Sequence, residues 1–261
     1  MSRTKVTIVL PISRADYLAQ VFAYLELMDC DAGNTNLIAI VDGSNELYVD
    51  ARNRVEMSKF AERLCVKYDD PGVYNKNDIL DRRERISDIH NTVKTYIGEC
   101  DYIFGVEDDT LVPKHALQQL LKGYVLYPYA GFIEGVELGR WSTYYVGAWK
   151  VDDVYNPTNI KSQLPPDSQY TIQEIDSGGF YCFLTKRDNY INHTFKTFNN
   201  NTLGPDVDFG ISLRRQGFSN YIDWGVSCIH RNRTQNISLA KDTPETVEFF
   251  KNGEFWEHKI Y

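Results

Sequence analysis

The chain has 261 residues, long for one compact domain and short for two full ones, so a single large α/β domain with an elaborated second half is expected. Hydrophobic residues make up 43% and charged residues 25%, ordinary globular usage that excludes a disordered chain. A formal charge of -8 argues against a surface that grips nucleic acid through many phosphates, which needs clustered Lys and Arg, and leaves room only for a local basic groove.

Met1 to Lys5 lead directly into the apolar run Val6 to Leu10, with no stretch long enough for a signal peptide or membrane span, so a cytoplasmic location is expected. Pro11 ends that run. Leu18, Val21, Phe22 and Leu25 recur at helical spacing, and a second apolar run, Asn36 to Val41, stops at Asp42-Gly43-Ser44. This is a β-α-β unit, whose right-handed connection puts the loops after both strands on one edge of a parallel sheet. The pattern continues with a predicted helix over Ala51 to Arg63, a strand over Leu64 to Tyr68, a helix over Ile79 to Ile97 and a strand over Tyr102 to Val106.

Beyond Glu107 the alternation becomes mixed. Strands are predicted over Phe132 to Leu138, Thr143 to Trp149, Gly179 to Leu184 and Tyr221 to Ser227, and helices over Ala116 to Lys122 and Phe209 to Gln216. Val151 to Tyr170, rich in Asp, Asn, Pro, Ser and Gln, reads as a long surface loop of the kind that serves as a lid or binding loop. The five cysteines, Cys30, Cys65, Cys100, Cys182 and Cys228, form no CxxC pair and are expected to be reduced thiols. Sequons begin at Asn192, Asn200, Asn232 and Asn236; in a cytoplasmic chain they are accidents of an Asn-rich stretch.

The most informative segment is Tyr102-Ile-Phe-Gly-Val-Glu107-Asp108-Asp109, an apolar strand that ends in three acids. Adjacent like charges repel unless neutralised, and a divalent cation suits carboxylate oxygens at a sheet edge; a solvated acidic turn before the Pro113 helix start is the other reading. Three further segments carry polar residues where chemistry is done. Gly204-Pro-Asp206-Val-Asp208 opens a helix that ends at Arg214-Arg-Gln-Gly217, and its acids serve either as caps or as proton acceptors. Gly178-Gly179 precede an apolar strand, where glycine permits close backbone approach or forms a turn. Tyr221 to His230 ends in a histidine, a ligand type that suits Mn²⁺.

The acidic triplet after a hydrophobic strand resembles the DxD motif of GT-A glycosyltransferases in its E-D-D form. The Asp206 helix resembles the "E-D-x-D … R-x-x-G" stretch of family 2-like members. The resemblance implies one GT-A domain over residues 1–261: a Rossmann-like, mostly parallel central sheet flanked by helices, with a nucleotide-binding half at 1–110 and a mixed acceptor-binding half with a C-terminal tail at 111–261. It further implies a metal-dependent glycosyltransferase moving a sugar from a nucleotide-diphosphate donor, a UDP-sugar first, to an acceptor hydroxyl. The metal, Mn²⁺ or Mg²⁺, falls to Asp109, His230 and Glu107, with Glu107 departing from the usual first Asp. Donor contacts fall to Pro11, Ser13, Arg14, Asp42 and Asp108, and sugar or acceptor contacts to Gly178, Gly179 and Asp208. Asp206 is the general base of an inverting reaction; a retaining reaction with Asp206 as a cap fits the same residues. Family members carry an Arg-Asn pair where this chain has His90-Asn91, which moves the basic role to Arg82 or Arg85; simple surface salt bridges are the other reading of these two arginines. The expected acceptor is a glycan, glycolipid or protein, with hydroxymethylated phage-type DNA a minor alternative. A sugar nucleotidyltransferase and an inactive nucleotide-sugar binding module are the rival classes; the first strand lacks the Gly-rich, basic loop that would hold a triphosphate.

Overall fold

The computed structural model describes residues 4–69, 78–138, 147–155, 160–162, 172–198 and 203–231. The first half alternates strands and helices: β1 (Val6–Ile12), α1 (Leu18–Leu27), β2 (Thr35–Val41), α2 (Asn45–Met57), β3 (Arg63–Lys67), α3 (Ile79–Val93) and β4 (Tyr102–Val106). After β4 come β5 (Thr110–Leu111), α4 (Ala116–Leu126), β6 (Ala130–Leu138), β7 (Ala148–Val151), β8 (Ile160–Ser162), β9 (Ile172–Ile175) and β10 (Ser177–Gly178). The described chain closes with β11 (Cys182–Lys186), α5 (Arg187–Ile191), α6 (Pro205–Arg215) and β12 (Ser219–His230).

The main sheet runs β3-β2-β1-β4-β11-β6-β12-β5, with β9 also paired to β12; β10, β7 and β8 form a small second sheet. β3, β2, β1 and β4 are parallel, as is β6 with β12, whereas β11 is antiparallel to both β4 and β6. The chain winds outward from β1 to β3, then returns to the other side of β1 with β4. Strand order therefore reverses between β1 and β4, and the crevice outside their carboxyl ends is where an open α/β sheet binds ligands.

Both faces of β1, β2 and β4 are buried, which is why these strands read as nearly continuous apolar runs, whereas the edge strand β3 is exposed to half-buried. Ile8, Leu10, Leu37 and Ala39 pack under α1 and α2, with Leu18, Val21, Phe22 and Leu25 of α1 closing that layer. Val9, Ile38 and Ile40 face the other way, into a layer with Ile89 and Val93 of α3 and Phe209 and Leu213 of α6.

Several boundaries differ from the predicted ones for local reasons. α2 begins six residues earlier than the apolar pattern suggests, because the Ser44 hydroxyl accepts the Leu47 N–H at 3.2 Å and caps the helix. α3 ends at Val93 and tightens into a 3-10 turn over Lys94–Tyr96. α6 begins four residues earlier than predicted, with Pro205 at its first turn, where a missing N–H costs nothing. It ends in a Schellman motif: Phe218 N–H bonds the Leu213 carbonyl, Gly217 N–H bonds that of Arg214, and Gly217 has φ 91°. The glycine of the R-x-x-G pattern is thus a helix stop. Of the predicted strand over Thr143 to Trp149, residues 143–146 lie outside the described residues, and β7 begins at Ala148. The predicted loop over Val151 to Tyr170 contains β8; residues 156–159 and 163–170 lie outside the described residues.

Among the described residues no helix is long and apolar enough to cross a membrane. All five cysteines are free thiols, Cys182 and Cys228 fully buried. Burial pushes the Cys65 thiol up to about 11 and those of Cys30 and Cys100 upward, so all three resist ionisation.

Candidate functional site

At the crevice between β1 and β4, residues 94 to 95 positions apart in sequence are locked together. The loop after β1 delivers Ser13 and Arg14, and the turn after β4 delivers Asp108 and Asp109. Asp108 accepts the backbone N–H groups of Ser13 at 2.6 Å and Arg14 at 2.9 Å on Oδ2, with the Ser13 hydroxyl at 3.2 Å. Its Oδ1 takes Nε and Nη2 of Arg14 at 3.2 and 2.8 Å. Nη1 of the same guanidinium sits 2.6 Å from Asp109 Oδ2. The Asp109 side chain is completely buried, whereas that of Arg14 is 35% exposed, so the guanidinium covers the acidic turn from the solvent side.

Burial works against the Arg14 charge, but Asp108, Asp109 and Glu107 more than offset it and hold the guanidinium firmly protonated. Asp108 and Asp109 share this one guanidinium, so the pair carries one more negative charge than Arg14 neutralises. Carboxylate oxygens at a sheet edge with surplus negative charge fit a hard divalent cation in chemistry. In arrangement the fit is incomplete: among the described residues no group of three or more His, Cys, Asp or Glu side chains is placed to hold a metal ion.

The far side of the turn is fixed by β12. Arg231 N–H donates to the Asp109 carbonyl at 2.6 Å, and the backbone of His230 pairs with Thr110. His230 is thereby placed one residue from Asp109 along the ladder, while its side chain lies outside the described residues. The Arg231 side chain turns to Gln20 Oε1 at 2.7 and 3.0 Å and to the Tyr17 ring.

A second charged pair sits after β2. Arg85, from the second turn of α3, donates Nε and Nη2 to the two oxygens of Asp42 at 3.0 and 2.6 Å and lies 4.4 Å over the Tyr68 ring. The hydrogen bond to Asp42 leads the effects that raise the Arg85 pKa. Arg82 does not share this position. The buried stripe of α3 runs through Ser87, Ile89, His90 and Val93, leaving Arg82 exposed and Ile86 40% exposed. Pro11 is half-buried within β1, beside Ile40.

On the second half, Gly178 and Gly179 are both buried. A Cβ on Gly178 would lie 1.8 Å from Glu134 Oε2, so any side chain there would have to displace this buried carboxylate. Glu134 is aligned with Phe183 and Gly105 across β6, β11 and β4, two residues before Glu107 on β4. This acid was not singled out in the sequence; its only signal is a lone charge in the apolar run Gly131-Phe-Ile-Glu-Gly-Val136.

The two acids of α6 part company. Asp206 is half-buried in the first turn, its Oδ1 accepting the Val207 N–H at 2.9 Å, and Ser177 Oγ reaches its carbonyl at 3.2 Å. Asp208 is 3% exposed, with Oδ2 3.2 Å from Nε2 of His193. His90 is also buried, against the Phe180 and Phe195 rings, with Nδ1 2.6 Å from the Tyr190 hydroxyl. Burial lowers its pKa to about 4, so it is neutral and takes no arginine-like role. Its neighbour Asn91 brackets Phe195, donating to the carbonyl at 2.8 Å and accepting from the N–H at 3.0 Å.

No family model matches the chain, and no curated protein matches its sequence. Many solved structures do share the fold. One is the mannosyltransferase PcManGT from Pyrobaculum calidifontis in complex with GDP-Man and Mn2+, with a TM-score of 0.61 and 13% identity over 97% of this chain and 69% of that chain. At that identity the likeness speaks for architecture: the chain has an α/β fold, with a mixed, mostly parallel central sheet flanked by helices, that resembles a GT-A glycosyltransferase.

Proposed function

We propose that the chain is a metal-dependent glycosyltransferase that uses a nucleotide-diphosphate sugar, bound across the carboxyl ends of β1, β2 and β4. One observation carries this reading above the others: the Ser13-Arg14 loop and the Asp108-Asp109 turn interlock where strand order reverses. A preorganised charged site there, in a fold shared with a sugar-nucleotide enzyme, matches the chemistry of a diphosphate leaving group.

Each residue then has a task. Asp42, held by Arg85, orients the base or ribose, with Pro11 lining the entry. Ser13 and Arg14 face the diphosphate, and Asp108 holds both in place. Asp109, with Glu107 and His230, would hold Mn²⁺ or Mg²⁺, which when bound supplies Lewis-acid stabilisation to the departing diphosphate. Gly178 and Gly179 bring backbone close to the sugar. Asp206 accepts the proton of the acceptor hydroxyl as its oxygen forms the new bond to the anomeric carbon, and the bond from that carbon to the diphosphate breaks. Asp208, facing His193, supports α6 behind it. The reaction is inverting on this assignment, and the acceptor is a glycan, glycolipid or protein.

The test is nucleotide release from a panel of UDP-, GDP-, CMP- and dTDP-sugars, with Mn²⁺ and with EDTA. The UDP-sugars come first because Asp42 suits a uracil imide; GDP-mannose follows because the structural neighbour binds it. Metal-dependent release from one donor is the expected result. Silence across the panel, with no metal-dependent donor binding, would overturn the reading.

A further inference from the structure

We infer that Arg14 is a resident counter-cation that competes with the divalent metal for Asp109, so that metal enters only with a donor diphosphate able to take over the guanidinium. The inference rests on the proposed donor and metal site and adds an order of events to it.

Three features of the contact carry it. First, the guanidinium spans two carboxylates, with Nε and Nη2 on Asp108 and Nη1 on Asp109. Asp108 is also held by the Ser13 and Arg14 backbone N–H groups, so its place is set by the β1 loop whatever the guanidinium does. The Asp109 contact is a single ion pair and can be exchanged without dismantling that scaffold. Second, burial differs across the pair. Asp109 is fully buried and Arg14 is 35% exposed, so a cation approaching Oδ2 from solvent meets Nη1, already 2.6 Å from that oxygen. Two cations at contact with one oxygen repel strongly in a partly desolvated site. Third, arginine's planar fork suits phosphate oxygens as well as carboxylates, so a diphosphate is a chemically equivalent new partner. Asp42 and Arg85 form the contrasting arrangement: a closed bidentate pair that stabilises a loop without holding a second carboxylate.

The guanidinium thus occupies the Asp109 oxygen on its own side while the turn keeps a net negative charge. A nucleoside diphosphate draws Nη1 away from Asp109 and brings negative charge of its own, and both changes favour the metal. Metal and nucleotide affinities are coupled, and by linkage each raises the other to the same degree.

Equilibrium dialysis of Mn²⁺ against the full chain, with and without UDP or GDP, tests this together with the Arg14→Gln variant. In the wild type, the nucleoside diphosphate raises protein-bound Mn²⁺ affinity by on the order of tenfold or more. Arg14→Gln binds Mn²⁺ alone about tenfold more tightly than the wild type does. Thermal melting gives a second readout: Mn²⁺ alone restores an Arg14→Gln melting temperature lowered in EDTA, and leaves the wild type unmoved. Equal Mn²⁺ affinity of wild type and variant without nucleotide overturns the inference while leaving the proposed function intact. If Arg14→Gln fails to fold, the wild type decides, since Mn²⁺ affinity independent of nucleotide overturns the inference equally. No Mn²⁺ uptake by either protein under any condition defeats the metal assignment, and the inference falls with it.

Discussion

The carboxyl edge of the sheet and the layer beneath α3 and α6 handle titratable groups in opposite ways. At the edge, charge is kept and matched with charge: Arg14 spans Asp108 and Asp109, and Arg85 clasps Asp42. Around His90, beneath the helices, charge is suppressed: His90 sits neutral among Phe180, Tyr190 and Phe195, and the Tyr190 hydroxyl is pushed far from ionisation by burial. The difference teaches where ligand chemistry belongs. A paired, partly exposed charge can trade its partner for a ligand, whereas a group neutralised by burial has nothing to trade and serves packing.

The strongest way to break the contrast is at Asp206, the half-buried acid at the start of α6. Asp206→Asn is expected to lower transfer by about 10²–10⁴ while leaving donor affinity unchanged. Near-normal transfer would return Asp206 to a capping role and reopen the retaining mechanism.

The buried layer can be tested by pH. The folded-state pKa of His90, about 4, lies below the unfolded value near 6.5, so the unfolded chain binds more protons between those values. The contribution is complete above about pH 6.5 and is lost as pH falls toward 4, an expected loss of about 3 kcal/mol. His90→Phe should flatten the melting temperature against pH across that window; an unchanged slope would assign the acid sensitivity to other groups.

At the edge, Asp108→Ala removes the acceptor of two backbone N–H groups and the main partner of Arg14. The expected cost is about 2–3 kcal/mol, moderated by the exposure of Arg14 and read by denaturant unfolding. A loss below about 0.5 kcal/mol would mean that the β1 loop holds its shape without the acid. The smallest effect belongs to Arg85→Met. It gives up the Asp42 pair at about 1 kcal/mol of stability and, on the proposed role in nucleotide orientation, raises the donor KM with little change in kcat. A fall in kcat with unchanged KM would place Arg85 at the reacting centre instead.

Much of the architecture was legible because local rules and tertiary packing agree. β4 occupies Tyr102–Val106 as the apolar run predicts, and α1 buries the four residues its spacing selects. Where a cap overrode the hydrophobic pattern, as Ser44 does for α2, the boundary moved. In α3 the face that buries Ile89, His90 and Val93 leaves Arg82 exposed, which only the packing of the helix against the sheet decided. The candidate site was legible only as residue types at strand ends, of which Ser13, Arg14, Asp108 and Asp109 meet in the structure. Their partnership was not legible, because nothing local encodes a contact across 94 residues.

What the chain determines by itself is the alternation of strands and helices, the edge on which Ser13, Asp42 and Asp109 emerge, and the caps and stops of its helices, all set by periodicity, handedness and short-range hydrogen bonds. Only the tertiary structure decided which groups meet: that Arg14 rather than Arg82 or Arg85 covers the acidic turn, that Asp208 turns to His193, and that Glu134 lies against Gly178. The physical reason is common to all three. Which buried groups meet depends on which loops and strands the sheet order brings side by side, and that order is set by long-range packing, not by any residue's neighbours in the chain.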